Sequence, residues 1–102
     1  MGYAEIIQEF SRLRDVAKSI DPDTVKYGRY LSSLISHLEH MVELLSTIKL
    51  EDIKDKEIKQ ITFGPVYLVG DNKYLRESAF GQDLLGVVNK LDELYKDHKE
   101  NR

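Results

Sequence analysis

His37 and His40 stand three residues apart with Glu43 three further on, and on a helix that spacing lets two imidazoles share a metal ion. Taking Leu34 as reference at about 100° per residue, His37 lies about 60° off the apolar seam, His40 about 120° and Glu43 about 180°. The three spiral towards solvent, so a third ligand would have to come from another element or another subunit. Two-metal bundle sites use Glu-x-x-His pairs, and the chain has none. The reading adopted is a boundary His37 and a solvated His40. A metal- or small-ligand-binding bundle using His37 and His40 is the alternative.

Three other arrangements could do chemistry. The run from Gly64 to Lys73 resembles a phosphate loop in its glycines, but five residues separate Gly64 from Gly70, Asp71 follows where Lys is needed, and Pro65 removes an N–H from the cradle. Turn glycines explain it better. Lys26, Tyr27, Arg29 and Tyr30 mix bases with aromatics, as single-stranded nucleic-acid binders do, yet Tyr27 falls on an apolar seam and Tyr30 on its edge, where core packing accounts for both. Serines at 32, 33, 36, 46 and 78 and three histidines supply raw material for a nucleophile, but no Gly-x-Ser-x-Gly elbow occurs. No catalytic residue and no cofactor is assigned.

The elements that would position these residues are mainly helical. Tyr3, Ile6, Phe10, Leu13, Ala17 and Ile20 form one stripe and predict a helix over about 3–20. Asp21-Pro22-Asp23 then reads as a new helix start, with a capping acid, proline at the first position and an acid at the dipole's positive end. Tyr27, Leu31, Leu34, Leu38, Met41, Leu45 and Ile48 alternate spacings of four and three. Ile35, Val42, Tyr30 and Leu44 widen that seam, so this helix is expected to meet more than one neighbour.

From Glu51 to Gln60, charges surround Ile53 and Ile58, predicting an exposed short helix or connector. The character then changes. Ile61-Thr62-Phe63 and Val66-Tyr67-Leu68-Val69 are rich in β-branched and aromatic residues and are punctuated by Gly64-Pro65 and Gly70-Asp71-Asn72, which predicts a small β-hairpin. Its second arm is either Tyr74–Arg76 or Ile61–Phe63. A last helix follows over about 80–98, with Ser78 as its cap. The expected architecture is therefore mainly α: one domain over 1–102, a small helical bundle of three principal helices plus a short connecting helix, with a small β-hairpin before the last helix.

Composition narrows the function classes. The absence of cysteine removes disulfides, thiolate metal sites and cysteine nucleophiles. Eighteen acids against fifteen bases leave a net charge of −3 with no basic arm, which argues against nucleic acid as a partner and leaves a nucleic-acid-associated regulator as a third reading. The stretch from Met1 to Glu9 lacks the basic region and apolar run of a signal peptide, and no apolar run approaches the roughly 20 residues of a membrane span, so no membrane partner and a cytoplasmic protein are expected.

The leading expectation is a non-enzymatic protein–protein interaction or homo-oligomerisation module, specifically a homodimer, or else a module that binds another protein. Its interaction surface is expected at Leu34, Leu38, Met41 and Leu45, because that seam exceeds what one short neighbour covers, and at Val66 and Leu68 of the apolar run.

Overall fold

The computed structural model describes residues 2–21 and 25–101. Helix α1, Tyr3–Ser19, buries Ile6, Phe10, Leu13 and Ala17, the stripe that the spacing predicts. Pro22 and Asp23 of the expected second-helix start lie outside the described residues. Beyond them comes a single 3₁₀ turn at Val25–Tyr27, and α2 runs Arg29–Thr47. Gly28 precedes α2 at φ 54, a left-handed conformation that strains any residue with a Cβ. Leu31, Leu34, Leu38, Met41 and Leu45 are buried along α2.

The predicted β-hairpin is not there. Residues Asp55–Asp71 form one helix, α3, and the described residues contain no strand. The charged run expected as a short helix or connector over Glu51–Gln60 is divided: Glu51 and Asp52 belong to a 3₁₀ turn, Leu50–Asp52, and Asp55–Gln60 form the first part of α3. Buried Ile58, Ile61, Pro65 and Val69 follow the helical period, and their burial outweighs the weak β preference of the residues between them.

The obstacle to a helix here is Pro65. A proline inside a helix has no N–H to give the carbonyl four residues back, which is that of Ile61. The chain supplies a substitute donor: Nε2 of His37, on α2, lies 3.3 Å from the Ile61 oxygen. A carbonyl can only accept, so the proton must sit on Nε2. Gly64 makes room for the imidazole, since a Cβ there would fall 2.4 Å from His37 Cε1. Sequence reasoning took Gly64-Pro65 as a turn, but the pair forms the socket for a side chain from the neighbouring helix.

A corner follows. Asn72 caps the short helix α4, Lys73–Glu77, by accepting from the Leu75 N–H at 3.0 Å, and its side-chain amide donates to the carbonyl of Lys26 at 3.2 Å. Ser78 caps α5, Ala79–Glu100, by accepting from the Gly81 N–H at 2.9 Å, as its position in the sequence predicts.

Four long helices thus close a ring in which α1 lies beside α2 and α5, and α3 beside the same two. Neighbours run antiparallel. The Tyr3 hydroxyl, at the start of α1, donates to the carbonyls of Leu45 and Ile48 at the end of α2 at 3.0 and 2.9 Å. The Tyr30 hydroxyl, at the start of α2, donates to the carboxylate of Asp71, which ends α3. Asp55, opening α3, accepts from Tyr95 and Lys99 near the end of α5. The result is an up-and-down helical bundle measuring 46 × 22 × 21 Å, with a single core drawn from all four long helices.

The His37 substitution for the missing donor has a measurable signature. His37→Ala should destabilise by about 1–3 kcal/mol, the cost of an unpaired buried carbonyl. In a Pro65→Ala background, which restores the backbone N–H, the same change should cost about 1 kcal/mol less. Urea unfolding of the four proteins of this double-mutant cycle checks the coupling, and additivity within about 0.5 kcal/mol contradicts it.

Candidate interaction face

The residues picked out by the sequence do not converge on a reactive centre. His37 is half-buried and engaged with Ile61, while His40 and Glu43 are exposed. A small recess of 130 Å³ is lined by His37, His40 and Glu57, but Glu57 Oε1 accepts the Lys54 N–H at 3.2 Å, closing a capping interaction at the start of α3. No group of three or more His, Asp or Glu side chains that could hold a metal exists among the described residues. Gly64 to Lys73 is helical apart from Asn72, so it forms no phosphate cradle. Tyr27 and Tyr30 are partly buried against the core, and Lys26 Nζ sits 5.3 Å from the Tyr27 ring centroid. Ser32, Ser33, Ser36 and Ser46 are exposed on α2, and Ser78 is a cap.

Of the expected interaction residues, Leu34, Leu38, Met41 and Leu45 are buried in the chain's own core. The breadth of the α2 seam is accounted for by α1 and α3, which pack on either side of it. Leu68 is partly buried against the same core. Val66 alone of the six faces outward, at 49% exposure.

Val66 belongs to a surface that a turn at Gly64-Pro65 would have divided. With α3 helical, Phe63, Val66 and Tyr67 lie within about 100° of one another on the side opposite Ile61 and Pro65. Phe63 is 74% exposed, Tyr67 60%, and Tyr74 on the adjoining α4 53%. A groove of 310 Å³ runs along this face between α3 and α5, lined by Phe63, Val66, Leu85 and Val88 with Asn89 and Asp92 at its polar edge. Helix α3 is thus apolar on both sides. The signal lay in the sequence as a second stripe, Phe63, Tyr67, Gly70 and Tyr74 spaced four, three and four, interleaved with the buried one.

A larger recess lies at the end of the bundle, where the 3₁₀ turn Leu50–Asp52 meets α5. It has a volume of 470 Å³ and an acidic and basic lining that includes Asp52, Lys54, Asp55, His98 and Lys99. Within it Lys99 Nζ reaches Asp55 at 2.6 Å. The hydrogen bond from Lys99, reinforced by that from Tyr95, holds the Asp55 carboxyl below its ordinary pKa. At the opposite end, the hydrogen bond to Asp71 raises the Tyr30 hydroxyl above its ordinary value. Both are ties between antiparallel neighbours.

Comparison with known proteins returns no matching family, no matching curated protein and no matching solved structure. No helix among the described residues is long and apolar enough to cross a membrane.

The Asp55 tie generates a pH prediction. A carboxyl whose folded pKa is depressed contributes stability that is present above its unfolded pKa of about 3.9 and is lost as pH falls through the folded value. Asp55→Asn should therefore lower the urea midpoint at pH 7, and the gap to wild type should narrow below about pH 4. Curves that stay parallel from pH 7 to pH 3 would show that the tie contributes nothing.

Proposed function

We propose that this chain is a non-enzymatic protein-interaction module whose docking surface is the outer face of α3. The observation that carries the reading is the exposure of Phe63, Val66 and Tyr67 on one side of α3, with Phe63 and Val66 also lining an apolar groove. Single exposed apolar residues are ordinary, but a run of aromatics on one helix side is the usual mark of a surface that a protein covers. Aromatics also suit such a role because they offer a large contact area with few rotatable bonds. Self-association to a homodimer is the preferred form, and a cytoplasmic location fits the cysteine-free composition.

The experiment is site-specific photo-cross-linking in living cells. A photo-activatable residue at Tyr67 should give a discrete cross-linked species, while one at Gln8, exposed on the diagonally opposite α1, should give none. Phe63→Lys should abolish the Tyr67 product and leave the melting temperature within about 2 °C, because an exposed side chain contributes little to the fold. Equal yields from the two positions, or no discrete product at Tyr67, would contradict the reading.

A further inference from the structure

We draw no further inference here: the strongest candidate, the outer face of α3 with the groove it forms against α5, belongs to the surface already described, and nothing in the structure shows what covers it.

Discussion

The carbonyl of Ile61, deprived of its helical donor because residue 65 is proline, is the group around which the third helix is organised. A buried carbonyl without a partner costs about 1–3 kcal/mol, and a proline in a helix interior costs about 3 kcal/mol relative to alanine. Left to themselves, these terms favour ending the helix before Pro65. The imidazole of His37 changes the balance by reaching the Ile61 oxygen from α2, and Gly64 lets it come close enough to do so. Three residues from two helices thus form one device, and it also sets how α2 and α3 sit against each other.

Everything on the outer side of α3 follows from that continuity. Were the chain to turn at Gly64-Pro65, Phe63 and Tyr67 would belong to different segments with no common face. Because the helix runs on to Asp71, they share a side with Val66, while Ile58, Ile61 and Val69 enter the core. The end ties act in the same direction. Asp55 with Tyr95 and Lys99 anchors the start of α3 to α5, and Asp71 with Tyr30 anchors its end to α2. The helix is held at both ends and at its middle, so its second apolar side is presented as a fixed surface.

How much of this could be read from the residues differs along the chain. The first stripe, the α2 seam and the last helix with its Ser78 cap follow from spacing alone, because their local preferences and their tertiary roles agree. Residues 61–71 were misread because two signals conflict there. Valine, isoleucine and aromatics favour strands, and Gly-Pro favours turns, but these are weak local preferences. The helical period of Ile58, Ile61, Pro65 and Val69 was present yet hidden among a second apolar stripe. The decisive donor lies on another helix, 24 residues before Ile61, and no local reading could supply it. His37 was noticed for metal chemistry because histidine pairs invite that interpretation, whereas its structural use depends on a neighbour that only the fold reveals. The expected surface along Leu34 to Leu45 failed for a related reason: the seam looked unpartnered only while α3 was thought to be a hairpin.

The interaction reading stands on the two-sided character of α3, and the helix itself is the claim most open to direct measurement. Backbone chemical shifts of the labelled protein in solution would record the conformation of every residue from Asp55 to Asp71. The account predicts helical carbon shifts without interruption through Phe63 and Val66, with a nuclear Overhauser contact between the His37 ring and the Gly64 α-protons. Extended-strand shifts over Val66 to Val69, or the absence of that ring contact in a well-resolved spectrum, would contradict it.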